Sequence, residues 1–202
     1  MPSAELVVAS TLGVKSLEEC LRTRRSCHDF GWDPLTEQEL LGLCWAGQGI
    51  TGPGGQRTAP SAGAVHPLEL YVVAGTGIFH YEPEANRLEQ VARGDRRPAL
   101  CAAAQSQDVI GLAPATLVIV AVEGRMDPRY GARSRHYELV ETGHVAQNVL
   151  LAATAMGICA TPVGALDDSA VRDVLDLPPN HTPLYLVAVG HGADRASIGA
   201  SR

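Results

Sequence analysis

The sequence of 202 residues contains a single lysine, Lys15, beside fifteen arginines. A phosphate-binding loop of the GxxxxGK[ST] type needs a lysine in a glycine-rich segment, and Lys15 does not lie in one. The net charge is −6 and the charged residues are dispersed, whereas phosphate contacts to nucleic acids require clustered positive charge. We therefore expect neither such a loop nor a nucleic-acid partner.

Long apolar runs and metal-binding spacings are also missing. The longest apolar stretches, Leu117–Val122 and Leu184–Val189, fall far short of the ~20 residues of a membrane span. No HExxH or CxxC pattern occurs and the seven histidines are scattered, so we expect no metal site. The N-terminus lacks a basic region followed by an apolar core, which predicts a cytoplasmic protein without a secretory signal or membrane contact.

The cysteines are odd in number and widely spaced: Cys20, Cys27, Cys44, Cys101 and Cys159. In a reducing cytosol, the expected state of such residues is the free thiol. The alternative interpretation is a catalytic Cys27 beside Arg25 and His28, because positive neighbours favour the reactive thiolate.

The content of 46% apolar and 19% charged residues suits one folded domain. We expect it over residues 1–202, with a core at about 17–190 and a polar tail at 191–202. Capping signals begin helices after Ser16 and Thr36. Other elements are predicted from composition and periodicity: helices at Pro98–Val109, Tyr137–Met156 and Asp168–Leu175, and strands at Leu68–Ala74, Ile78–Tyr81, Thr116–Val122 and Leu184–Val189. This order indicates an α+β or a mixed α/β domain.

The segment Gly47–Gly52 matches the GxGxxG pattern literally. A dinucleotide fingerprint requires a strand before the glycines and a helix after them. Here a predicted helix precedes the segment and Pro53 follows it, so we reject a dinucleotide site.

Two loop segments have both a ligand-binding and a structural interpretation. Arg24–His28 places two guanidinium groups, a hydroxyl and an imidazole at a predicted helix end. Arginine binds phosphate bidentately, but a positive last turn also complements the helix dipole. Arg57–Pro67 is rich in small residues, which either let the backbone approach a flat ligand or form an ordinary loop.

The long predicted helix and the segment after it raise the same choice. Glu141, His144, Gln147 and Asn148 are spaced three and four apart, so we expect them to share one face. Their polar groups need partners, which other parts of the chain, a cofactor or a second subunit can supply. Thr161–Ala165 is predicted as a turn whose amides face a ligand or simply lead into the next helix.

Six segments in order resemble the nitroreductase-like flavoproteins, and most closely their SagB-type dehydrogenases. Together they extend over nearly the whole chain: Arg24–Phe30, Leu35–Leu40, Trp45–Thr51, Arg57–Val73, Arg129–Asn148 and Pro162–Asp168. The resemblance implies an α+β fold with a central mixed sheet flanked by helices. It also implies an intertwined homodimer with two FMN sites at the subunit interface.

The resemblance assigns cofactor-binding residues by position. Arg24, Ser26 and His28 would bind the FMN phosphate and ribityl chain, with Arg25 as a neighbour and Arg195 as a further candidate. The ring-binding residues would be Pro60, Ser61, Ala62 and Gly63 along the isoalloxazine ring, and Pro162, Val163 and Gly164 at its other face or edge. Gln147 is an additional candidate.

The implied chemistry is hydride transfer to flavin N5 from an azoline-like or peptide-derived intermediate, with oxygen or another acceptor reoxidising the flavin. Azoline oxidases carry a Lys-Tyr pair before the long helix, and this chain has Arg129-Tyr130. Arginine stays protonated and cannot be a general base, so Arg129 would orient Tyr130 or stabilise an anion. His66 replaces a tyrosine of many relatives and is a third candidate for proton transfer. The alternatives are an NAD(P)H-dependent nitro or quinone reductase, and a non-catalytic flavin-binding subunit.

Overall fold

The computed structural model describes Gly13 and residues 15–193. Except for its first three positions, the predicted tail at 191–202 lies outside these residues, as does Arg195. The helices are α1 (Leu17–Thr23), α2 (Glu37–Gln48), α3 (Arg97–Ala103), α4 (Asp108–Leu112), α5 (Asp127–Tyr130), α6 (Ser134–Met156) and α7 (Asp168–Val174). The strands are β1 (Leu68–Ala74), β2 (Gly77–Glu82), β3 (Arg87–Arg93), β4 (Ala115–Val122), β5 (Cys159–Val163) and β6 (His181–Gly190).

The six strands form one sheet in the order β3-β2-β1-β4-β6-β5. The α+β class is confirmed, but the predicted mixed sheet is wrong for the described residues, because every neighbouring pair is antiparallel. The long helix α6 connects β4 to β5, two strands that run in the same direction. However, β6 lies between them, so the crossover does not create a parallel pair.

Strand β4 is the centre of the sheet, and all eight of its residues are buried. Leu117, Ile119 and Ala121 belong to a core shared with α2 and α6. Val118 and Val120 face the opposite core, which contains side chains of α3, α4 and α7. The strand predicted at Thr116–Val122 is therefore confirmed, and its continuous apolar run is explained by the cover on both faces of the sheet.

Two local predictions need correction, and one strand was not predicted. Gln105 and Ser106 both have φ of 56°, so the helix predicted over Pro98–Val109 is divided into α3 and α4. Strand β3 was not predicted, because most of its residues are exposed and it lacks the alternation of buried and exposed residues that indicates a strand. The predicted turn at Thr161–Ala165 begins inside β5, where Pro162 is tolerated because β5 is an edge strand.

The capping box predicted at α2 is present. Thr36 Oγ1 accepts the Glu39 amide at 3.2 Å, and the Glu39 carboxylate accepts the Thr36 amide at 2.8 Å. These two contacts satisfy donors that the first helical turn leaves unpaired. They fix the start of the helix whose other end leads to the loop at Arg57–Pro67.

Replacing Thr36 by alanine is expected to lower the free energy of unfolding by about 1 kcal/mol, because the cap acceptor is lost. Urea unfolding measures the change, and Thr36→Ser, which keeps a hydroxyl, is the matched control. Equal stability of the alanine and serine variants would contradict the role of the cap.

In the part of the chain that the structure describes, no helix combines the length and the apolar character that membrane crossing requires.

Candidate functional site

The segment Arg24–His28 is attached to β5. The Cys27 amide donates to Thr161 Oγ1 at 2.9 Å and to the Ala160 carbonyl at 3.3 Å, and the Thr161 hydroxyl donates to the Cys27 carbonyl. These contacts place Arg24–His28 beside the strand that leads into Pro162–Gly164. The structure thus brings together two of the segments that were predicted to bind the cofactor.

A disulfide joins the same two segments. Cys27 and Cys159 are bonded, with their Cα atoms 5.4 Å apart, so the expectation of free thiols and the alternative of a catalytic Cys27 thiol are wrong for this pair. Cys20, Cys44 and Cys101 are free thiols. The two bonded residues are 132 positions apart in the chain, and only the docking of the segment onto β5 brings them together.

The Arg24–His28 segment carries positive charge that no described carboxylate neutralises. Within residues 15–193, the side chains of Arg24, Ser26 and His28 make no hydrogen bond or ion pair. The Arg25 guanidinium donates to two backbone carbonyls, those of Arg22 and Arg24, at 3.1 and 2.7 Å. Two adjacent guanidinium groups without carboxylate partners suit an anionic ligand such as a phosphate group.

A second group of residues surrounds the loop Pro60–Gly63. The Ala62 amide donates to Glu141 Oε1 at 2.8 Å, and Ser61 Oγ accepts the His66 amide at 2.9 Å. Glu141 lies on α6 and is only 4% exposed. Burial raises the pKa of this carboxyl, although the hydrogen bonds from Ala62 and Ser61 partly oppose the shift. Glu141 therefore anchors the loop to the long helix.

Arg129 and Tyr130 approach the same loop from the end of α5. Arg129 Nη1 donates to the Gly63 carbonyl at 2.9 Å. Gly63 has φ of 60°, and a Cβ there would lie 2.5 Å from Arg129 Nη1 and 2.6 Å from the Tyr130 hydroxyl. Only glycine allows both this backbone conformation and this close approach. The Tyr130 hydroxyl is consequently held against the loop backbone.

His66 lines a cavity whose lining includes none of Pro60–Gly63, Arg129 and Tyr130. This cavity of about 410 Å³ is formed with Arg57, Val65, Glu69, His80, Glu82, Pro83, Glu84 and Arg125. Burial and the nearby charge of Arg57 lower the pKa of His66, so its imidazole is neutral at neutral pH. Among the described residues, its buried Nδ1 has no hydrogen-bond partner, and no hydrogen bond joins His66 to Tyr130.

The four polar residues of α6 lie on one side of the helix, as their spacing predicts, but they differ in exposure. Glu141 is buried, and the half-buried Asn148 donates to the Thr58 carbonyl at 3.2 Å. His144 and Gln147 are exposed, and the charge of His144 is one of the effects that lower the pKa of Glu141. This side of the helix is therefore the border between its buried and its exposed faces.

The exposed face of α6 is partly apolar. Leu139 and Val140 are 52% and 44% exposed, and they lie on the stripe that contains Gly143, His144 and Gln147. An exposed apolar stripe on a central helix is typical of a surface that another chain covers.

The helix predicted before the segment Gly47–Gly52 is confirmed. The first residues of this segment end α2, and Ile50 forms a bridge with Arg57 instead of opening a helix. A Cβ on Gly47 would lie 3.0 Å from Leu70 Cδ1 and 3.2 Å from Val145 Cγ1. This glycine allows α2 to pack closely against β1 and α6.

The predicted cofactor residues thus form two groups, which no hydrogen bond connects within the described part of the chain. One group contains Arg24–His28 and Pro162–Gly164, and the other contains Pro60–Gly63 with Arg129 and Tyr130. The sequence named Glu141 among four polar residues of the long helix that need partners, but it did not show that the partner of Glu141 is the loop Pro60–Gly63.

Residues 21–191 match the nitroreductase family. The chain belongs to this family. It is 39% identical over 180 residues to the protein named "Putative nitroreductase MJ1384" of Methanocaldococcus jannaschii, covering 86% of this chain and 90% of that protein. A crystal structure of a nitroreductase homologue from Ralstonia eutropha JMP134 superposes with a TM-score of 0.81 at 29% identity, covering 89% of this chain and 84% of the other.

Two further similarities concern microcin-related proteins of Escherichia coli. The microcin B17-processing protein McbC of Escherichia coli is 27% identical over 133 residues, which cover 60% of this chain and 49% of McbC. A chain of the E. coli microcin synthetase McbBCD complex, solved with truncated pro-MccB17 bound, superposes with a TM-score of 0.75 at 25% identity. The match covers 88% of this chain and 73% of that chain. Membership of the nitroreductase family makes this protein a relative of flavin oxidoreductases.

Proposed function

We propose that this protein is an FMN-dependent dehydrogenase of the SagB type that oxidises an azoline-like or peptide-derived intermediate. The observation that carries the proposal is the position of the Tyr130 hydroxyl and the Arg129 guanidinium against the backbone of Gly63. Arg129 and Tyr130, which correspond to the Lys-Tyr pair of azoline oxidases, thus contact the loop Pro60–Gly63. We propose that this loop runs along the isoalloxazine ring. The similarities to McbC and to the microcin synthetase complex support a peptide-derived substrate.

The residues present fit FMN at both of its ends. Unneutralised guanidinium groups at Arg24 and Arg25 suit the phosphate, and Ser26 and His28 add side-chain donors beside them. The small residues of Pro60–Gly63 leave room for a flat ring to approach the backbone. Bound FMN would accept a hydride at N5, which is the chemistry the protein lacks by itself.

Tyr130 is the proposed proton-handling residue. Its hydroxyl lies at the loop, and its ring packs on Tyr137 with centroids 4.8 Å apart, which fixes its orientation. Arg129 remains protonated and holds the Gly63 carbonyl while adding positive charge beside the substrate. The neutral imidazole of His66, which lines the cavity with Arg57 and Glu69, is the further candidate for a proton acceptor.

We propose that a second copy of the chain completes each site. Within the described part of the chain, no hydrogen bond connects the two groups of cofactor residues. In addition, α6 presents Leu139 and Val140 on an exposed face. Leu17 and Leu21 of α1 are also exposed, by 66% and 56%. In a homodimer, one chain would supply Arg24–His28 and Pro162–Gly164 while its partner supplied the loop with Tyr130. Light scattering on purified protein tests the dimer, and a monomer that binds FMN would contradict the shared site.

The decisive experiment has a cofactor step and a substrate step. The purified protein should be yellow and release a compound with the mass of FMN. Under anaerobic conditions, a peptide with an azoline ring should bleach the flavin, whereas the same peptide with the ring already aromatic should not. A protein that does not bind added FMN, or a flavin that no azoline peptide bleaches, would contradict the proposal.

A second candidate is an NAD(P)H-dependent nitro or quinone reductase. The observation that favours it is Arg129 in place of lysine, because arginine cannot accept the proton that azoline oxidation releases. Rapid bleaching of the flavin by NADPH, followed by recovery with a nitro compound or quinone, would support this function.

Replacing Arg24 by alanine is expected to weaken FMN binding about 10-fold, because a hydrogen bond between charged groups contributes roughly 1.5 kcal/mol. Fluorescence titration of FMN measures the change. Arg22→Ala, in the last turn of α1, is the matched control and should bind normally. Unchanged affinity in the Arg24 variant would place the phosphate elsewhere.

A further inference from the structure

The Cys27–Cys159 disulfide is located inside the proposed cofactor site. Cys27 lies between Ser26 and His28 in the sequence, and Cys159 begins the strand that leads to Pro162. One covalent bond therefore fixes the candidate phosphate-binding segment to the strand that carries the candidate ring-contacting residues.

The disulfide is open to small reagents. Both cysteines are only half-buried, and they line a cavity of about 360 Å³ with His28, Asp29, Phe30, Leu112, Gly192 and Ala193. By contrast, Cys44 is fully buried, and burial raises the pKa of its thiol. Thiol–disulfide exchange requires an accessible sulfur. A thiol reductant can therefore reach the Cys27–Cys159 disulfide, whereas the thiol of Cys44 is out of reach of such reagents.

Few other contacts hold the segment. Residues 24–29 form no regular helix or strand. Among the described residues, Cys27 is the member of Arg24–His28 whose backbone forms hydrogen bonds with β5. The next attachment is the bridge between Phe30 and Gly192. The Arg24 amide donates to the Cys20 carbonyl at the end of α1, at 2.9 Å. Reduction would therefore leave Ser26 on a short loop between Arg24 and Phe30 that only the hydrogen bonds of Cys27 link to β5 among the described residues.

We infer that Cys27 and Cys159 form a redox-active disulfide that controls the affinity of this chain for FMN. A dithiol reductant supplies two electrons and two protons, so the sulfur–sulfur bond breaks, two thiols form and the dithiol becomes a disulfide. The oxidised chain holds Arg24–His28 ready for the phosphate, and the reduced chain must order the segment on binding. Disulfides in reducing compartments are commonly redox-sensing. The inference rests on the proposed function, which assigns the phosphate to this segment.

The test compares FMN affinity in three states of the full-length protein: as oxidised by diamide, after reduction with dithiothreitol, and after removal of dithiothreitol and reoxidation. We expect reduction to weaken FMN binding about 10-fold. This is the effect of freeing about one backbone residue, because FMN binding must then restore the order of that residue at an entropic cost. Reoxidation should restore the affinity. Alkylation in denaturant followed by mass measurement should label three cysteines in the oxidised chain and all five in the reduced chain.

Matched variants separate this pair from the other cysteines. Cys27→Ser and Cys159→Ser should each bind FMN like the reduced protein and show no response to dithiothreitol, whereas Cys20→Ser and Cys101→Ser should respond normally. Five labelled cysteines after oxidation, or equal FMN affinity in both redox states, would overturn the inference while leaving the proposed function in place. No FMN binding in either state would overturn the proposed function as well.

Discussion

Replacing Tyr130 by phenylalanine is expected to lower the rate of substrate oxidation by about 10²- to 10⁴-fold, the usual contribution of a positioned general acid or base. The ring of Tyr130 packs on Tyr137, and phenylalanine preserves that packing. The lost atom is the hydroxyl, which lies against Gly63. FMN content and stability should therefore remain close to those of the unmodified protein. Stopped-flow reduction of the flavin under anaerobic conditions measures the rate.

Tyr137→Phe is the matched control, because Tyr137 packs on the ring of Tyr130 but is not assigned a proton. Its rate should be unchanged. A second comparison uses Arg129→Lys, which restores the pair found in azoline oxidases and keeps a positive donor near the Gly63 carbonyl. Full activity of Tyr130→Phe with normal FMN content would show that the tyrosine is not catalytic.

The sequence predicted best those features that local interactions determine. Thr36 and Glu39 satisfy each other three residues apart, so the start of α2 could be located without knowledge of the fold. The run in β4 is apolar at every position because both sides of the sheet are covered. Such a run indicates a central strand before any neighbour is known.

Features that depend on distant parts of the chain could not be predicted in the same way. Cys27 and Cys159 are 132 residues apart, and nothing in their spacing indicates that the segment after α1 docks on β5. The antiparallel sheet depends on β6, the last strand, lying between β4 and β5. Likewise, the contact of Arg129 with Gly63 spans 66 residues. In the sequence, the small residues of Arg57–Pro67 marked the loop, but only the family resemblance connected it with Arg129.

The other large effect is expected at Glu141. Replacing it by alanine removes the acceptor of the Ala62 amide and should lower the free energy of unfolding by about 1–3 kcal/mol, the cost of leaving a buried donor unpaired. FMN affinity should fall too, because the loop Pro60–Gly63 loses its link to α6. Urea unfolding and FMN titration measure the two effects. Gln147→Ala, at an exposed position of the same helix, should change stability by less than about 0.5 kcal/mol.

Glu141→Gln tests whether the charge or the acceptor matters. Burial raises the pKa of Glu141 in the folded chain, so the folded state holds the proton more tightly than the unfolded state. The resulting stabilisation is complete below the unfolded pKa and is lost as pH rises through the folded pKa. Glutamine keeps an acceptor for Ala62 and does not titrate. Its unfolding free energy relative to that of the unmodified protein should therefore increase from acid to neutral pH. A difference independent of pH would show that the folded environment does not disfavour the Glu141 charge.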